Sequence, residues 1–197
     1  MNASGGPLIA GGDLVTSEVS LRPIRQGDAQ SDYEAVMETR GFLREWEGTG
    51  WPEEDFTVEA NREDLIRLER RHQIGESFTY TVVSPEGARC LGCVYIFPTG
   101  APLFAKAQVS AKSGDDWLSF QAAVYFWVRQ SAMAEELDRR LVGALDLWLR
   151  RDWGIERHLY VTNERVPHQR SLLEDAGRRP LFELRFSNRQ SAELAFA

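Results

Sequence analysis

Cysteine and histidine are scarce in this 197-residue chain: there are two cysteines and three histidines. The cysteines, Cys90 and Cys93, stand together in CLGC. A C-x-x-C pair can be half a zinc site or a redox motif. No second pair exists, and His72, His158 and His168 have no ligand spacing to this one. The pair also lies in a strand-like run, RCLGCVYIF, rather than at a helix start. Buried free thiols are therefore expected, with no metal, and these suit a reducing cytoplasm. Long apolar runs are missing too. Nothing approaches the roughly 18 residues that a membrane span needs. The start, MNASGGPLIAGGDLVTS, lacks a basic region and a long apolar core, so no secretory signal is expected. Basic excess is also absent: 23 Lys and Arg stand against 30 Asp and Glu, for a net charge of -7. This argues against nucleic acid, whose phosphates need a basic face. It leaves room for a cationic partner such as an amine, although solubility alone also explains it.

What is present describes an ordinary folded domain. Hydrophobic residues make up 43% and charged residues 27%, with six Trp and ten Phe, enough for a sizeable core without staples. Residues 1–16 read as a flexible arm, with Pro7-Leu8-Ile9 its one apolar patch. Residues 17–197 read as a single domain without internal repeats.

Within it, Val19–Ile24 alternates as a first strand. Asp28–Arg40 has helical spacing, and Gly41 is expected to end that helix. Residues 42–56, FLREWEGTGWPEEDF, read as a long aromatic and acidic loop. A second helix is expected over Thr57–His72. Ser77–Ser84 and Arg89–Phe97 form a hairpin around Pro85-Glu86-Gly87, and Gly92 marks a bulge or close approach. Residues 98–118 read mostly as loop, with a short strand over Leu103–Val109. Later, Arg157–Thr162 is a strand, Pro167 opens a helix that Gly177 closes, and Leu181–Phe186 closes the sheet.

The chain is organised around residues 122–150. Ala122–Val128 is a buried strand, and Met133–Arg150 a helix with Met133, Leu137, Leu141, Leu145 and Trp148 on one stripe. Ser131 is the expected N-cap. A strand running into a helix start is a natural anion site, since free N–H groups and the helix dipole meet there.

The element order is strand, two helices, hairpin, strand, helix, strand, helix, strand. It implies an α/β (α+β) fold: a mixed, mostly antiparallel sheet of six to seven strands with helices on both faces. That order resembles the GNAT superfamily of acetyl-CoA-dependent N-acetyltransferases over residues 18–187. LRPI with Gly27-Asp28 is similar to the family's opening, and Ser77–Phe97 to its central hairpin. In HQRSLLEDAG, Arg170, Glu174 and Gly177 match an R-x-x-x-E-x-x-G pattern on its penultimate helix. The resemblance implies acetyl-CoA as co-substrate and a small-molecule or peptide amine as acceptor. It also implies a diphosphate loop of the form R-G-x-G-x-G. Here Met133, Ala134, Glu135, Glu136, Leu137 and Asp138 fall over that motif. The apolar frame is kept, while the Arg and all three glycines are lost.

By the same resemblance, Phe126, Trp127 and Val128 border the thioester, and Met133, Ala134 and Glu135 the diphosphate. The family's tyrosine acid is replaced by Leu173. Tyr125 and Tyr160 are its candidate substitutes, or else ordinary sheet tyrosines. Trp46, Glu47 and Trp51, with Glu53, Glu54 and Asp55 beside them, would wall the acceptor site and suit a cationic amine. His168 could serve as a base or be a plain surface histidine. Two functions follow: an N-acetyltransferase, or a non-catalytic GNAT-fold binding or dimerisation protein. A homodimer is compatible with either.

Overall fold

Phe78–Val83 and Cys90–Pro98 are rich in β-branched and aromatic residues, and they form the hairpin at the middle of the sheet, β3 and β4. The computed structural model describes residues 8–112 and 114–197. Before the hairpin come β1 (Leu14–Val15), β2 (Ser20–Pro23), α1 (Ala29–Glu47) and α2 (Val58–Gln73). After it come β5 (Ala107–Ala111), β6 (Ala122–Val128), the short α3 (Gln130–Met133) and α4 (Leu137–Asp152). The chain continues through β7 (His158–Asn163), α5 (Pro167–Asp175), β8 (Pro180–Phe186) and β9 (Glu193–Phe196).

The strands make one sheet in the order β1-β2-β3-β4-β6-β7-β9-β8-β5. Every neighbouring pair is antiparallel except β6 with β7. One core lies between the sheet and α4 and α5, with Phe126, Leu141, Trp148 and Leu172 in it. The other lies under α1 and α2, with Val36, Leu43, Leu65 and Trp127. The class expected from sequence is therefore right, while the sheet has nine strands instead of six to seven.

The differences have physical causes. Gly41 does not end α1. Leu43 and Trp46 continue the buried stripe of Ala35, Val36 and Thr39, and that packing outweighs the roughly 1 kcal/mol a helical glycine costs. The helix ends instead at Gly48, in the left-handed region at φ 70. The long loop shrinks accordingly to residues 48–57. Ser131 is no N-cap, because the expected continuous helix breaks into α3 and α4 at Glu136. Leu181–Phe186 does not close the sheet either: β9 slots between β7 and β8, and β5 is the outer strand. ELAF is buried at every position, so it lacks the alternation that marks a half-buried strand.

Gly92 has φ 149, and a Cβ there would lie 2.1 Å from the Trp127 carbonyl oxygen. Only glycine lets β4 approach β6 this closely. Residues 8–16, read above as part of a flexible arm, lie against the sheet. Leu8 and Leu14 pack on the core, and the Gly11 and Gly12 carbonyls accept hydrogen bonds from Tyr80 and Trp148. Pro7 and the residues before it lie outside the described residues. Among those described, no helix is long and apolar enough to cross a membrane.

Candidate active site

The parallel pair β6 and β7 is joined only where Ala122, Ala123 and Val124 face His158, Leu159 and Tyr160. Past that point the strands part. Gln169 of α5, 3% exposed, fills the gap with its amide. Its Nε2 donates to the Phe126 carbonyl at 2.8 Å. Its Oε1 accepts from the Thr162 hydroxyl at 2.6 Å and the Trp46 indole at 3.0 Å. The gap thus ties β6, β7, α1 and α5 together through one buried side chain.

On the α1 side the same gap opens into a cavity of about 590 Å³. Trp46, Trp51, Tyr95 and Tyr125 supply aromatic wall, and Glu47, Asn163, Arg189 and Glu193 supply polar groups. Trp46 and Tyr125 meet edge-on, with ring centroids 6.3 Å apart. The Tyr125 hydroxyl donates to Glu193 at 2.8 Å, and Glu193 is ion-paired with Arg189. Burial pushes the Tyr125 phenol above its usual range. Burial also raises Glu47, opposed by the nearby Arg189 guanidinium.

The other residues expected at the site lie elsewhere. Tyr160 belongs to the opposite face of the sheet and is 0% exposed. Its hydroxyl donates to Asp146 of α4 at 2.8 Å, where His158 and Arg178 also bond the same oxygen. Burial alone would raise Asp146, but those hydrogen bonds and the Arg178 charge hold it at about 2. Tyr160 therefore shares no site with Tyr125. Trp127 points into the α1 core and donates to the Tyr95 hydroxyl at 3.1 Å. Val128 is buried on the α4 face, opposite Gly92 in the ladder. Phe126 is the one of the three whose carbonyl bonds across the gap. His168 does not reach the cavity; its Nε2 pairs with Asp138 at 2.6 Å, at the start of α4.

The turn before α4 is closed on itself. Met133, Ala134 and Glu135 donate their N–H groups to the carbonyls of Arg129, Gln130 and Ala132. Gln130 N–H goes to the Thr39 hydroxyl, and Ser131 N–H to the Glu38 carboxylate at 3.0 Å. Every backbone N–H from Arg129 to Glu136 has an acceptor within the chain. Among the described residues, Leu137 and Asp138 are the first with none. Arg129 bonds Glu38, and Arg139 bonds Asp175, so the nearby cations are paired as well.

Glu136 has φ 57, the one positive φ outside glycine among the described residues. The sequence alignment above places a family glycine at that position. The Glu136 side chain is 74% exposed, and the Asp138 carboxylate is held by His168 and the Arg139 N–H.

Glu38, Thr39, Gln169, Arg189 and Glu193 were not anticipated. Nothing in local sequence marks Glu38 or Gln169, whose partners are distant in the chain. The last two lie in the tail, whose strand carried no alternation.

No family model and no curated protein matches the sequence. Solved structures do match it. The ribosomal L7/L12 alpha-N-protein acetyltransferase RimL, in complex with coenzyme A, is 13% identical. The match covers 94% of this chain and 96% of that one, with a TM-score of 0.66. The chain has the GNAT fold. The microcin C7 self-immunity acetyltransferase MccE, in complex with acetyl-CoA and AMP, is 11% identical over 96% of this chain and 97% of that one, with a TM-score of 0.67. A chain described as a GnaT-family acetyltransferase from Bordetella pertussis is 15% identical over 94% and 98%, with a TM-score of 0.61.

Proposed function

We propose that the chain is an N-acyltransferase that moves an acetyl group from acetyl-CoA to an amine of a small molecule or peptide. The observation that carries this reading is the parting of β6 from β7 beside a cavity of aromatic and acidic side chains. A gap between parallel strands next to a pocket brings two substrates together from opposite sides of one sheet. The matched structures support the reading, since two of them hold coenzyme A or acetyl-CoA.

The start of α4 fits a diphosphate in its backbone. The left-handed turn at Glu136 aims the chain into the helix, and the open N–H groups of Leu137 and Asp138 are the donors that would hold it. The Glu136 carboxylate is exposed, and the Asp138 carboxylate is held by His168 and the Arg139 N–H. Acetyl-CoA, when bound, supplies the activated acyl group. On the other side, Trp46, Trp51 and Tyr125 would wall the acceptor, and Glu47 would attract its ammonium. Tyr125 is the better of the two tyrosine candidates, because Tyr160 is enclosed beneath α4. No metal is invoked. The free buried thiols Cys90 and Cys93 support a cytoplasmic setting. Both sheet edges, β1 and β5, are open to a second copy.

Two observations favour the other reading, a non-catalytic GNAT-fold binding or dimerisation protein: Gln169 fills the gap, and the turn spends its N–H groups internally. Calorimetry with acetyl-CoA and free CoA decides between them. An acyltransferase binds at micromolar to high-micromolar ligand and acetylates members of a primary-amine panel. No heat and no thermal shift at millimolar CoA selects the non-catalytic reading.

A further inference from the structure

Glu47 is the last residue of α1, and its position is fixed from both sides. Gly48 turns the chain in the left-handed region, and its carbonyl accepts the Gln190 N–H at 3.3 Å. A Cβ on Gly48 would stand 2.9 Å from the Asn163 amide, so this corner packs directly on the end of β7. Glu47 lines the cavity together with Trp46, Tyr125, Glu193 and Arg189, and feels the Arg189 charge.

The other acids of that wall are committed or outside. Glu193 is paired with Arg189 and accepts from Tyr125. Asp64 and Glu76 pair with Arg67 and Arg71. Glu53 is exposed. Among the described residues, Glu47 has only the Thr49 hydroxyl at 3.4 Å, and Arg189 acts on it through its field without bonding it. An unpaired, partly desolvated carboxylate beside indole and phenol rings is a receptor for an ammonium on an apolar or aromatic body.

We infer that Glu47 binds the ammonium of an arylalkyl primary amine and removes its proton. The N–H bond breaks, its electron pair stays on nitrogen, and the proton forms an O–H bond on the Glu47 carboxylate before leaving to water. The neutral amine is then the nucleophile. The proton-removal half rests on the acyltransferase reading; the ammonium-binding half does not. Burial raises the Glu47 carboxyl, which favours this role because a base works best when its pKa nears the working pH.

Phenethylamine is the probe for both halves. In calorimetry at pH 7, Glu47→Gln weakens phenethylamine binding about tenfold or more relative to the unaltered protein. Equal affinities, or no binding by the unaltered protein at millimolar amine, overturn the inference. In acetyl transfer from acetyl-CoA between pH 6 and 10, Glu47→Gln lowers kcat about 100-fold at neutral pH, in the range a positioned base contributes. The deficit shrinks as pH nears the amine's own pKa, and Glu47→Asp restores part of the rate. Superimposable pH profiles for the two proteins overturn the base assignment. Loss of amine binding in Glu47→Gln, in a protein that binds no CoA, overturns the acyltransferase reading and keeps Glu47 as an amine site.

Discussion

The Glu38 carboxylate on α1 accepts the backbone N–H of Ser131 at 3.0 Å, immediately after β6. The same carboxylate bonds Arg129 Nε at 2.6 Å. An anion from within the chain thus occupies the entrance to the turn where a strand passes into a helix. Burial pushes Glu38 up, but bonds from Ser131 and Arg129 outweigh it and hold the carboxyl at about 2, against 4.5 for a free glutamate. A depressed carboxyl stabilises the fold above its unfolded pKa. That contribution is present above pH 4.5 and is lost as pH falls toward 2. Glu38→Gln should lower stability at pH 7 by about 1 kcal/mol, a modest figure because the side chain is 31% exposed. Urea titrations of both proteins from pH 7 to pH 2.5 should converge at the acid end.

Glu136 stands in a left-handed conformation that costs a side-chain-bearing residue about 1 kcal/mol or more. Glu136→Gly should raise stability by about 0.5–1 kcal/mol, and Glu136→Val should lower it. The same glycine substitution should tighten CoA, by removing a carboxylate near the α4 start. Thermal melts and calorimetry on the two variants read both effects.

Tyr160 and Tyr125 separate structure from site. Tyr160→Phe leaves Asp146 without one donor and should cost about 1–2 kcal/mol while acetyl transfer stays within about twofold. Tyr125→Phe frees Glu193 from its phenol partner in the cavity wall and should change KM for the amine more than stability. Steady-state kinetics beside melting curves would reverse the assignment if Tyr160→Phe were the slower enzyme.

Gln169→Leu removes the amide that serves Trp46, Thr162 and Phe126 at once. It strands buried donors and an acceptor, so the expected loss is about 2–4 kcal/mol by denaturant unfolding.

Sequence carried the frame of this molecule further than its site. The hairpin, α4 and the Pro167 helix were visible through periodic apolar patterns and stop signals, and β6 as a continuous apolar run. The strand β9 was not, because four residues buried at every position, one of them a glutamate, give neither alternation nor a long apolar run. The same limit hid the site. Trp46, Glu47, Trp51 and Tyr125 were legible as aromatic and acidic residues in suggestive places, and they share one cavity. Tyr160 looked equivalent to Tyr125 by type and strand position, but strand parity put it on the other face. Glu38 and Gln169 act through partners far along the chain, and no local pattern encodes a contact of that kind. Glu136 could not be read in advance either: its left-handed φ of 57 carries no local sequence signal.

β9 also sets a condition on how the protein folds. It follows β8 in the chain, yet it lies between β7 and β8 in the sheet. Before residues 193–196 dock, β1–β4, β6 and β7 form one half-sheet, while β5 and β8 pair only with each other. A chain at that stage holds two unzipped strand edges and a Tyr125 hydroxyl without its Glu193 acceptor. Closure is thus a late, long-range step, which is slow and prone to misassociation. The cavity comes into existence with the final stitch rather than with the core.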